Sequence, residues 1–84
     1  MSTGVQWTGT IGAGATERWF TWGWPAVRHV LWYLMPVTPT PGGPELDWTV
    51  AVERTDPQHC TYWITVQNLT AQPVTFEGRF AVLS

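Results

Sequence analysis

The chain has 84 residues, 44% hydrophobic and 14% aromatic, with six carboxylates, four arginines, no lysine and a formal charge of −2 at pH 7. That length fits one domain, since a single core normally serves about 100–150 residues and chains of roughly 60 still fold alone. The aromatic content excludes disorder, and four scattered cations, Arg18, Arg28, Arg54 and Arg79, give too small a counterion-release term for nucleic acid to be an expected partner.

No apolar run reaches the roughly 18–20 residues that span a bilayer, so no membrane insertion is expected. The N-terminus, MSTGVQWTG, lacks the basic and apolar regions of a signal peptide. The chain reads as soluble and cytoplasmic, non-classically released or already mature. A lone cysteine, Cys60, excludes an intrachain disulfide framework and leaves stability to packing or association.

In chain order, β-branched and aromatic residues separated by turn residues predict an all-β antiparallel sandwich of about six strands in one domain, 1–84. The strands fall at about 5–11, 16–22, 28–37, 46–54, 60–67 and 74–83. Gly12-Ala13-Gly14, Gly23-Trp24-Pro25, Asp56-Pro57 and the segment 68–73 separate them. The proline-rich stretch Pro36–Pro44 reads as a stiff crossover between two sheets.

Strand three has apolar residues on both sides: Val30, Trp32 and Leu34 on one, Leu31, Tyr33 and Met35 on the other. It is expected to be buried on both faces, and a two-layer sandwich has only one core. A second copy of the chain is the simplest cover for its other face, so a homo-oligomer is expected.

Strands four to six alternate strictly, and directly opposed residues in an antiparallel pair share a face. Treated as successive hairpins with five-residue loops, they give inner rows Trp48/Val66/Val74, Val50/Ile64/Phe76 and Val52/Tyr62/Gly78, where Gly78 leaves room for the Tyr62 ring. The outer rows become Thr49/Thr65/Thr75, Ala51/Trp63/Glu77 and Glu53/Thr61/Arg79.

The catalytic signals are weak. The only serines are Ser2 and Ser84, at the termini, and His59 and Cys60 are neighbours that point to opposite sides of a strand. His29, His59 and Cys60 lack metal-ligand spacing, and no phosphate-binding glycine loop opens a helix. Glu53 and Glu77, expected at about 10 Å from strand spacing, read as a surface cluster with Arg79 rather than a glycosidase pair. The expectation is a protein that is not an enzyme and has no metal or cofactor. Asn68-Leu69-Thr70 matches a glycosylation acceptor and reads instead as a turn asparagine in an exposed loop.

Seven tryptophans remain: Trp7, Trp19, Trp22, Trp24, Trp32, Trp48 and Trp63. Each buries about 150–250 Å², more than one small core easily absorbs in total. Trp7, Trp32 and Trp48 fit inward rows, Trp63 points outward, and Trp22-Gly23-Trp24-Pro25 reads as a loop presenting two rings. An exposed indole suits the apolar face of a sugar, with neighbouring polar groups for its hydroxyls. The expected function is carbohydrate binding by a non-catalytic homo-oligomer, at Trp63, Glu53, Glu77 and Arg79 or at Trp22 and Trp24. The rival readings are a structural or protein-interaction module whose tryptophans cement protomers, and, more weakly, a small enzyme using His29.

In length and strand count the chain is similar to the small six-stranded sandwich lectins of the discoidin C-terminal, or H-type, kind. That likeness is one of fold, carries no residues across, and implies oligomeric sugar binding.

Overall fold

The alternating segments become six strands in a computed structural model describing residues 1–84. They are β1 Ser2–Ile11, β2 Thr16–Pro25, β3 Val30–Pro36, β4 Leu46–Asp56, β5 His59–Asn68 and β6 Val74–Val82. Two antiparallel three-stranded sheets form, ordered β1-β6-β3 and β2-β5-β4. Their inner faces meet in one core, Ile11, Trp32, Leu34, Val74 and Phe76 from the first sheet against Leu46, Cys60, Tyr62, Ile64 and Val66 from the second. No helix is long and apolar enough to cross a membrane.

Only β4 and β5 are joined as a hairpin within one sheet; every other connection crosses between sheets. The Pro36–Pro44 stretch is one such crossing. The β4–β5 register is the one the alternation predicts, with Trp48 opposite Val66, Val50 opposite Ile64, Val52 opposite Tyr62 and Glu53 opposite Thr61.

The expected β5–β6 hairpin is corrected. β6 crosses the core and becomes the centre of the opposing sheet, so Glu77 and Arg79 lie on the other side of the molecule from Trp63 and Glu53. Side-chain parity is the same whether β6 lies beside β5 or faces it across the core. What favours β1 as its neighbour is shape. Gly4 opposes Phe80, Trp7 opposes Gly78 and Gly9 opposes Phe76, so each ring lies over a bare backbone. The space at Gly78 therefore holds Trp7, not Tyr62.

Five tryptophans turn inward. Trp7 meets Trp19, Trp32 and Phe76 at ring-centroid distances of 6.3, 6.0 and 6.1 Å. Trp24 meets Trp32 and Phe80 edge-on at 5.2 and 5.3 Å, and Trp48 meets Tyr33 at 5.8 Å. Such pairs add about 0.5–1.5 kcal/mol each beyond the area they bury. They offset the indole N–H groups of Trp7 and Trp32, which are buried without acceptors.

Burial next to Cys60 pushes the Tyr62 hydroxyl up from 10.0 to about 12. The folded state holds this proton more tightly than the unfolded chain, so the associated stability is complete below pH 10.0 and is lost as pH rises through about 12. Denaturant midpoints measured across that range are expected to fall, and Tyr62→Phe is expected to remove this component of the decline.

Within the chain β3 buries one face: Trp32 and Leu34 are inside, while Leu31 and Tyr33 stand exposed on the other, the face for which a second copy is the expected cover. One further expectation is corrected. Asn68 is not in an exposed loop but is 1% exposed at the end of β5. Its Nδ2 donates to the carbonyls of Ile11, Gly12 and Gln72, and its Oδ1 accepts from the Thr70 N–H and hydroxyl. One side chain thus ties the β1–β2 crossing to the β5–β6 crossing.

Candidate functional site

The outward row of β2 and β5 carries the aromatic surface. Arg18 opposes Thr65 and Phe20 opposes Trp63. The Phe20 and Trp63 rings stack at 4.9 Å, and Phe20 meets Trp22 at 5.7 Å. The Arg18 guanidinium lies over Trp63, 5.0 Å from the ring centroid, a cation–π contact. From β4, Glu53 Oε1 accepts the Trp63 indole N–H at 2.9 Å. Trp63 is therefore held by three partners, and Trp22, 71% exposed, is the ring left free at the end of the row.

A bulge decides which tryptophan is presented. Between the Thr21–Tyr62 and Trp24–Cys60 pairs, β2 carries Trp22 and Gly23 where β5 has only Thr61. Gly23 takes a φ of 79°, which glycine adopts without a Cβ penalty. The extra residue shifts the parity, so Trp22 stays on the outer face while Trp24 returns to the core. There its indole N–H donates to Thr21 Oγ1 at 3.0 Å. The expected loop presenting both rings is thus corrected to a bulged strand presenting one.

Beside Trp22 is an open cleft of about 230 Å³ lined also by Gly23, Thr55, Asp56, His59 and Thr61. It is smaller than the roughly 300–1,000 Å³ that enclose drug-sized ligands, a size suited to one small ring resting against the indole. The β4–β5 turn supplies its polar wall. Asp56 Oδ1 accepts the backbone N–H groups of Gln58 and His59 at 2.8 and 2.9 Å and lies 3.0 Å from His59 Nδ1. The Gln58 N–H, then the His59 side chain, hold the Asp56 carboxyl below the usual carboxylate range. An ionised acceptor is therefore present at neutral pH, next to the paired hydroxyls of Thr55 and Thr61 at 2.8 Å.

Of the expected site residues, Trp22, Trp63 and Glu53 come together on this face. Glu77 and Arg79 pair with each other at 2.8 Å on the opposite sheet. There they border a shallow groove of about 620 Å³ with Val5, Leu31 and Tyr33. Arg18, Phe20, Asp56 and His59 were not among the expected residues. Phe20 and Trp22, two apart in one strand, carried the signal, but their partner β5 was not visible from β2 alone. His29 lies away from the cleft, with Nδ1 2.7 Å from Ser84 Oγ. Comparison of the chain with protein-family models, with curated proteins and with solved structures gave no match.

Proposed function

We propose that the protein is a non-catalytic carbohydrate-binding module, with a sugar ring stacking on Trp22. The observation that supports this most directly is the exposed indole at the mouth of a cleft walled by Asp56, His59, Thr55 and Thr61. The ring supplies the apolar contact, and the ionised Asp56 and the threonine hydroxyls offer acceptors and donors to sugar hydroxyls. Phe20 and Trp63 buttress the indole, and Arg18 and Glu53 fix Trp63 in turn. One such open site binds weakly, with a Kd of about millimolar to micromolar, and linkage of several sites raises apparent affinity through avidity.

A glycan-array screen, followed by tryptophan fluorescence titration with the best free sugar, tests the reading. Trp22→Ala is expected to lower binding by at least about tenfold, roughly 1.4 kcal/mol, with an unchanged circular dichroism spectrum. Trp63→Ala is expected to weaken binding less, by freeing Phe20 and Trp22 to move. An array left blank by folded protein would rule the sugar reading out.

The second reading, an assembly module, draws support from Val5, Leu31 and Tyr33, all about half exposed on the outer face of the β1-β6-β3 sheet. A homo-oligomer is compatible with both readings and belongs to this proposal.

A further inference from the structure

We infer that β4 is a self-pairing edge, against which β4 of a second copy of this chain docks antiparallel about a two-fold axis at Ala51. This does not depend on sugar binding. β4 forms one edge of its sheet. It is the longest strand, and its ladder to β5 runs without irregularity from Leu46 to Arg54. The other free edges are interrupted or short: β1 is bulged at Gln6, β2 is bulged at Trp22 and Gly23 and ends in a proline, and β3 has seven residues and also ends in a proline. β4 has no proline, and its charged residues, Asp47, Glu53, Arg54 and Asp56, lie toward its two ends and leave Trp48 to Val52 uncharged.

The inner row of β4 is also left uncovered. Val50 and Val52 share the side of Ile64 and Tyr62, yet they are 39% and 64% exposed, because the opposing sheet does not extend over this half of the strand. A paired copy keeps both apolar rows on one side of the joined sheet only if opposed residues have the same parity.

Among the registers centred on Val50, Ala51 and Val52, charge and the matching of the two valines together favour one. An axis at Val50 sets Asp47 against Glu53, two like charges. An axis at Val52 sets Val50 against Arg54 and Trp48 against Asp56. With the axis at Ala51, each Val50 meets the partner's Val52, each Trp48 meets the partner's Arg54, and each Glu53 meets the partner's Thr49. Asp47 then faces the partner's Thr55, no like charges are opposed, and the one apolar residue set against a carboxylate is Leu46, against Asp56 at the very ends of the strands. The joined sheet has its two Trp22 clefts on the same outer face, with the β2 strands about 24 Å apart by strand spacing, a bivalent arrangement.

Sedimentation or light scattering of the wild-type chain, without sugar, is expected to give a concentration-dependent mass reaching twice 9.5 kDa. Val52→Lys places a charge at an already exposed position and is expected to weaken association at least about tenfold while the chain stays folded by circular dichroism. Ala51→Cys is expected to oxidise to a covalent dimer, since an opposed pair brings Cα atoms within the roughly 4.4–6.8 Å a disulfide requires. Thr49→Cys, whose copies stand about 14 Å apart in this register, is expected to form no covalent cross-link under the same oxidation. A wild-type chain that is monomeric at all concentrations overturns the inference and leaves the edge to a different partner or to water. An unchanged mass for Val52→Lys, or equal cross-linking at positions 49 and 51, overturns it as well.

Discussion

Gly78→Ala is expected to destabilise the fold by at least about 3 kcal/mol, a cost at the upper end for one added methyl group and the opposite of what a strand residue ordinarily shows. Replacing glycine by alanine within a strand normally gains about 0.5–1 kcal/mol through backbone entropy. Here a Cβ on Gly78 overlaps three atoms of the Trp7 six-membered ring. Trp19, Trp32 and Phe76 flank the ring and limit how far it can retreat. Close-packed interiors transmit such an overlap into the strands that carry it. Gly4→Ala is the internal comparison. Its Cβ comes to 2.9 Å from Phe80 Cζ, a far smaller overlap at the outer end of the ring, so the expected cost is about 1 kcal/mol. Urea denaturation of both variants reads the difference. Pairing Gly78→Ala with Trp7→Leu is expected to recover part of the loss, by a coupling of about 1 kcal/mol or more. A Gly78→Ala protein as stable as the wild type would mean that Trp7 does not lie over Gly78.

The same glycine shows how far the sequence could be read. Alternation in β4 and β5, with a turn at Asp56-Pro57, is enough for the hairpin, its register and the placing of Trp63 and Glu53 on one outer face. Parity alone did not assign β6. A strand that alternates toward the core satisfies the same rule as a neighbour of β5 or as a strand facing it. The information lay in volume: Phe76-x-Gly78-x-Phe80 is complementary to Gly4, Trp7 and Gly9. One bulge, at Gln6, offsets that match by a residue and hides it from any regular spacing.

The candidate site was legible to a similar degree. The sequence placed indoles outside the core but not their grouping, which depends on β2 pairing with β5 and on the Gly23 bulge that separates Trp22 from Trp24. Bulges are local exceptions to a period of two, so a pattern argument that relies on that period fails at them and recovers beyond them. The apolar residues on the two sides of β3 lie where alternation puts them, one row in the core and the other on the outer face of its sheet, since a three-stranded sheet in a two-layer molecule has only one covered face.

Asn68 gives the second large effect and one with a distinctive pH dependence. Asn68→Ala removes the donor shared by the Ile11, Gly12 and Gln72 carbonyls and the acceptor for the Thr70 N–H. Leaving buried polar groups unpaired costs about 1–3 kcal/mol each, and with partial access to water the expected loss is about 3 kcal/mol. Asn68→Asp keeps the shape and the Oδ1 acceptor but turns a carboxylate oxygen toward three carbonyl oxygens. The ionised form is disfavoured there both by burial and by those oxygens, so the carboxyl is expected to titrate above its unfolded value of about 3.9. A carboxyl raised on folding contributes its stability below the unfolded pKa and loses it as pH rises through the folded one. Asn68→Asp is therefore expected to be closest to Asn68→Ala near pH 4 and clearly less stable than it at pH 7. Thermal melts of both variants at the two pH values measure this. Equal melting of the two at pH 7 would mean that the Asn68 amide does not point at the carbonyls of the two crossings. That same engagement bears on the Asn68-Leu69-Thr70 pattern: the nitrogen a glycan would need is already the donor that holds both crossings together.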